Sequence, residues 1–180
     1  MENLRAAVNS RPSPICPNEL WEADLTYIHC GVDGRAYLFN VVDVFSREWV
    51  SYVFNHYAVK QNAILRVEKI LIKNPLALQV RLRTDHGSQY GSRAFKESMR
   101  VLGVKKEFMA VNTPEQNGHL ESLHKTLKRV YVWTRDFQSF QEAEVIQEAY
   151  VDYKNRIHSV LGYMTPYEYL ANITVIKNEL

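Results

Sequence analysis

Alternation comes first along this chain. In WEADLTYIHC (21–30), Trp21, Ala23, Leu25 and Tyr27 share one face, and Glu22, Asp24 and Thr26 the other. That period of two predicts a half-buried strand. Asp33-Gly34 is a hairpin turn signal. AYLFNVVDVF (36–45) is nearly all apolar, as expected of a strand buried on both faces. Ser46-Arg47 turns the chain, and EWVSYVFN (48–55) returns as a third strand, completing an antiparallel meander. The period then changes. Ile64, Val67, Leu71 and Ile72 predict the inward face of a helix over 59–73, closed by Pro75. LQVRLRTD (78–85) reads as a strand ending at Asp85, followed by a loop bracketed by Gly87 and Gly91. A helix over 93–103 stops at Gly103, and VKKEFM (104–109) is a short strand. A polar loop over 110–119 leads into a long helix whose core face is Leu120, Leu123, Leu127, Val130 and Tyr131. A further helix is predicted over 139–156, and a short one after Thr165-Pro166, with Thr165 as cap.

The order is β-β-β-α-β-α-β-α-α, which implies one mixed sheet of three antiparallel and two parallel strands, with helices on both faces. Residues 1–20 hold Pro12, Pro14 and Pro17 without apolar periodicity, and read as an arm or linker. Residues 21–170 read as one core and 171–180 as a tail.

Composition narrows the class. With 180 residues, 46% of them apolar and 23% charged, the chain suits one globular domain. It has no apolar run of membrane-spanning length and no apolar signal core near Met1. Cys16 and Cys30 form neither a disulfide framework nor a zinc pattern, which suits a reducing cytoplasm. The net charge of +2 conceals an asymmetry. Residues 1–80 balance to zero, 81–135 carry +6 and 136–180 carry −4. The middle third is therefore the surface suited to a polyanion.

Three acids stand out. Asp24 lies inside a strand, where Asp is disfavoured. Asp85 closes another strand just before His86-Gly87, and Glu121 lies one turn into a helix after Asn117-Gly118. Carboxylates from two strands and a helix can converge on hard cations. Two such ions about 3.5–4 Å apart can activate an attacking oxygen and stabilise a leaving one. Taken singly, each acid is better explained as a loop cap or a solvated side chain. Asp43, before the Ser46-Arg47 turn, reads as a turn residue or Arg47 partner rather than a ligand. Lys125 and Lys128 follow Glu121 at four and seven residues, so all three point the same way. Phosphate contact competes here with a solvated Glu121–Lys125 pair. His86 is a contact for DNA or metal-bound water, or a structural hydrogen-bonding group. Trp21, Trp49 and Trp133 read as core or interface residues.

In order along the chain, WEADLTYI, VVDVFSR, RTDHGSQYGSRAF, TPEQNGHLESLHKTLKR and YKNRIHSVLGYMTPYEY resemble the integrase core of retroviral integrases and related insertion-sequence transposases. Thirty-five residues (86–120) separate Asp85 from Glu121, the spacing that family shows. The closing motif is similar to the insertion-sequence branch. The resemblance covers roughly residues 18 to 170.

The resemblance implies a ribonuclease-H-like fold, with Asp24, Asp85 and Glu121 as the catalytic DDE triad and as ligands of a two-metal Mg²⁺ or Mn²⁺ site. It implies DNA contacts at Lys128, with Lys125, His86 and Asn117 as further candidates. The implied activity is DNA 3′-end cleavage and strand transfer in transposition, by a cytoplasmic, nucleoid-associated enzyme working as a homodimer or higher oligomer. The substrate would be double-stranded DNA, transposon ends and target. Recognition of those ends would fall to a missing N-terminal domain or a separate subunit. Two alternatives stay open: a metal-dependent nuclease of the same fold without strand transfer, and a truncated, non-catalytic assembly or DNA-binding module.

Overall fold

A computed structural model describes residues 14–57, 60–73, 80–109 and 118–178. The meander forms as expected: β1 (Leu20–His29), β2 (Arg35–Asp43) and β3 (Trp49–Asn55) pair antiparallel in sequence order. The first turn runs through a short 3₁₀ segment, Gly31–Asp33, and Cys30 N–H donates to the Gly34 carbonyl at 2.7 Å. Asp43 builds the second turn. Its Oδ1 accepts from the Ser46 N–H (2.7 Å) and hydroxyl (2.8 Å), and its Oδ2 from Asn18 N–H (2.8 Å). Burial pushes the Asp43 carboxyl pKa up, and these hydrogen bonds oppose the shift.

The chain then crosses through α1 (Lys60–Lys73) to β4 (Arg81–Thr84), which lies parallel to β1. A helical turn, α2 (Ser88–Gly91), interrupts the expected loop and precedes α3 (Arg93–Val101), N-capped by Ser92. The edge strand β5 (Lys105–Phe108) follows, parallel to β4. The sheet order is β3-β2-β1-β4-β5. α4 (Gly118–Leu127), α5 (Ile146–Lys154) and α6 (Pro166–Asn178) complete the chain.

The two faces of the sheet have separate cores. Trp21, Ala23, Phe39, Val41 and Leu82 pack against Val67 and Ile70 of α1 and Phe95 and Met99 of α3. Ile28, Leu38, Val42 and Trp49 pack against Leu120, Leu123 and Leu127 of α4 and Ile146 and Ala149 of α5. Strand parity therefore sends Glu22 and Asp24, in step with Ile28, to the face covered by α4.

Four expectations change. Ile72 is 79% exposed, and Ile70 takes the inward position on α1. Val130 leaves the core because α4 gives way to a π-helical turn, Lys128–Val132, where Trp133 N–H reaches the Lys128 carbonyl at 2.7 Å. The helix predicted over 139–156 shortens to a 3₁₀ turn, Glu142–Val145, and α5. Side-chain acceptors claim the backbone there: Glu142 takes Gln138 N–H (2.7 Å), Ser139 takes Glu142 N–H (3.3 Å), and Asp33 takes Phe140 N–H (2.8 Å). Finally, α6 continues past 170 to Asn178, started by a reciprocal Thr165–Glu168 capping box. Trp21 and Trp49 are buried and Trp133 is exposed. Among the described residues no helix is long and apolar enough to cross a membrane.

Candidate active site

The site is set by the parallel register of β1 and β4. Their last ladder pair is Ala23 with Thr84. Asp24 and Asp85 come next on adjacent strands, which run about 4.8 Å apart. Asp24 accepts a local backbone hydrogen bond and lies near α4. Its Oδ1 accepts Leu25 N–H at 2.7 Å, and its Oδ2 lies 3.9 Å from Nδ1 of His124 on α4. The Asp85 carboxylate accepts Gly87 N–H at 2.9 Å, a local turn that aims it out of the strand end. Glu121 lies in the first turn of α4, exposed, on the helix that packs over β1 and β2.

The donors are all carboxylate oxygens, which fits a hard cation. Among the described residues, however, no three Asp, Glu, His or Cys side chains stand close enough to share an ion. The two aspartates follow neighbouring positions on the sheet, and Glu121 is exposed on the helix that crosses it.

The remaining candidates divide. Lys128 lies in the π turn with its Nζ 5.3 Å from the Tyr27 ring centroid, a cation–π contact. Lys125 is exposed, and no Glu121–Lys125 ion pair forms within 4 Å. The Nε2 of His86 meets the Met109 carbonyl at 2.9 Å, and its ring stacks on Phe108 at 4.9 Å, so its structural role is realised. Asn117 lies outside the described residues.

Sequence reasoning missed the polar layer under α4. Glu22, 1% exposed, faces Nδ1 of His119 at 3.0 and 3.1 Å and Arg83 at 3.8 Å. Arg83 continues to Glu107 at 3.4 Å. Asn40, fully buried on β2, meets Nε2 of His124 at 2.9 Å. Burial, with Lys128 adding to it, pushes the His124 pKa down to about 4, so the imidazole is neutral near pH 7. Lys106, beside Asp85, is likewise pushed down to about 8, by burial and then by Lys96, with Asp85 opposing. A signal was present in the sequence: Glu22 shares the polar face of Asp24, and both histidines border the leucine stripe.

Two family models, each described as "Integrase core domain", match residues 14–114 and 102–166. The chain belongs to the integrase core domain family. Curated relatives of this integrase core include the transposase for insertion sequence element IS904 of Lactococcus lactis subsp. lactis. It is 31% identical over 181 residues, covering 93% of this chain and 70% of that protein. Transposase InsD for insertion element IS2A/D/F/H/I/K of Escherichia coli is 30% identical over 160 residues, covering 85% of this chain and 53% of that one. Among solved structures, the catalytic core domain of BIV integrase superposes with a TM-score of 0.62 at 18% identity, covering 89% of this chain and 99% of that one. A chain of the simian T-cell lymphotropic virus intasome in complex with PP2A regulatory subunit B56 gamma gives 0.67 at 18% identity, covering 89% and 57%. The integrase core is thus an insertion-sequence transposase type of core, and its mixed five-stranded sheet is the ribonuclease-H-like fold expected from the motif order.

Proposed function

We propose that this integrase core is a metal-dependent DNA transposase core that cuts at an element end to free a 3′-hydroxyl and joins that hydroxyl to target DNA. The reading rests on one observation: the β1–β4 register sets Asp24 beside Asp85, under the helix that bears Glu121. These three carboxylates would hold two Mg²⁺ or Mn²⁺ ions, which when bound neutralise phosphate charge and activate the attacking oxygen.

The chain's own groups do the rest. Asp24 and Asp85 offer their carboxylates from rigid strands, so little reorganisation is needed on that side. Glu121, exposed on α4, completes the ligand set. Lys128 meets the DNA phosphates and sets the strand in line for displacement, with Lys125, His86 and Asn117 as further candidate contacts. Two element ends require at least two copies in the working complex. Recognition of end sequences is assigned to a segment outside the core or to a separate polypeptide.

The test uses supercoiled plasmid and a short duplex with a free 3′-hydroxyl, in Mg²⁺ or Mn²⁺. Nicking of plasmid and covalent joining of the duplex are expected, and both should be lost in Glu121→Gln. Full activity in that variant would overturn the assignment. Nicking without joining of the supplied 3′-hydroxyl would reduce the function to hydrolysis.

A further inference from the structure

The leucines of α4 fix its distance from the sheet more firmly than its rotation about its own axis. Leu120, Leu123 and Leu127 are all buried, and apolar contact has no direction. Direction comes from the two histidines. At 3.6 residues per turn, His119 and His124 lie roughly 70° to either side of the leucine stripe. Each meets a polar group buried in the sheet: His119 meets Glu22 on β1 at 3.0 Å, and His124 meets Asn40 on β2 at 2.9 Å. Glu121 lies between them in sequence, so its heading follows from the roll these contacts impose.

The Asn40 geometry also orients the imidazole. The Asn40 amide nitrogen lies 3.4 Å from the Leu38 carbonyl, which can only accept. The same NH₂ group therefore donates to His124 Nε2, which leaves the proton on Nδ1, the atom 3.9 Å from Asp24 Oδ2. Net stability does not account for the pair. The Asn40 Oδ1 is buried without a hydrogen-bond partner, a cost that an apolar residue at this position would avoid. Orientation does account for it.

We propose that Asn40 and His124 are positioning residues that, with the Glu22–His119 contact, lock the roll of α4 and so fix the helix heading from which Glu121 reaches the site of Asp24. This rests on the reading of Asp24 and Glu121 as metal ligands.

The direct test replaces the pair with an apolar one, Asn40→Leu with His124→Leu, which removes the clamp and the orphaned oxygen together. The double variant should keep or raise its urea midpoint. Its Mn²⁺ affinity by calorimetry should fall at least tenfold. The kcat of plasmid nicking should fall at least tenfold with the KM for DNA unchanged. His124→Gln, whose amide oxygen can accept from Asn40, should recover most of both losses. If the leucine pair does not fold, Asn40→Ala carries the same readouts. Wild-type Mn²⁺ affinity and kcat in the folded pair variant, or in Asn40→Ala, would overturn the proposal. Glu121→Gln is measured alongside. If it leaves metal binding and nicking intact, the ligand reading fails. If it abolishes them while the pair variant behaves as wild type, only the clamp fails.

Discussion

Arg83→Met is the most informative stability perturbation. The Arg83 side chain is 5% exposed and lies between Glu22, 1% exposed, and Glu107, 24% exposed, at 3.8 and 3.4 Å. Methionine keeps much of the packing volume and removes the charge. Glu22 is then left in the interior with only His119 beside it. Breaking a buried pair from one side costs about 3–5 kcal/mol, because the surviving charge stays desolvated. Glu22 keeps one partner and Glu107 remains partly in water, so the expected loss is at the lower end, about 3 kcal/mol. Each 1.4 kcal/mol is a factor of ten, so the folding equilibrium constant falls by somewhat more than a hundredfold. Urea unfolding followed by the fluorescence of the buried Trp21 and Trp49 measures it, with the slope expected to stay constant. The double variant Glu22→Leu with Arg83→Met removes the stranded charge as well and should recover a substantial part of the loss. A cost below about 1 kcal/mol for Arg83→Met, or a double variant no more stable than the single, would refute the view that this layer is electrostatically desolvated.

Gly31→Ala should cost about 2–3 kcal/mol in the same urea assay. Gly31 has φ +53°, and an added Cβ would stand 2.3 Å from the Gln138 carbonyl oxygen, so the 137–140 segment would have to move; wild-type stability would contradict the close approach. Acidification should lower stability through two histidines. The His124 pKa is pushed down to about 4, and that of His158 is also lowered, by burial and by Arg156 and Arg47. Above about pH 6.5 both are neutral in either state and the stability is fully present. As pH falls from there toward about 4, the unfolded chain takes up protons that the fold excludes, and stability is lost. The raised pKa of Asp43 acts in the opposite sense and blunts the loss. Urea midpoints at pH 7 and pH 5 measure the difference, which should shrink in His158→Gln and would be absent if neither histidine is held neutral.

Much of this molecule can be read locally. Alternation in 21–55 located the three meander strands, because one-sided or two-sided burial leaves a period of two or a continuous apolar run. Asp43 read as a turn residue, and it caps its own turn through Ser46. Local reading failed where side chains redirect the backbone. Ser139 takes the Glu142 N–H that a helix over 139–156 would have used, and the π turn rotates Val130 outward. Both depend on hydrogen-bond competition, which hydrophobic periodicity does not report.

The sequence alone determined the element order and the spacing of Asp24, Asp85 and Glu121, because motif spacing and strand position are properties of the chain. Only the tertiary structure decided what surrounds them. The adjacency of Asp24 and Asp85 follows from a parallel register between strands some sixty residues apart. Glu22, Arg83, His119, Asn40 and His124 became one polar layer only once α4 lay across β1 and β2. Each is an ordinary polar residue in the sequence. Burial makes them consequential, because in a desolvated interface every donor and charge requires a partner, and the partners come from other elements.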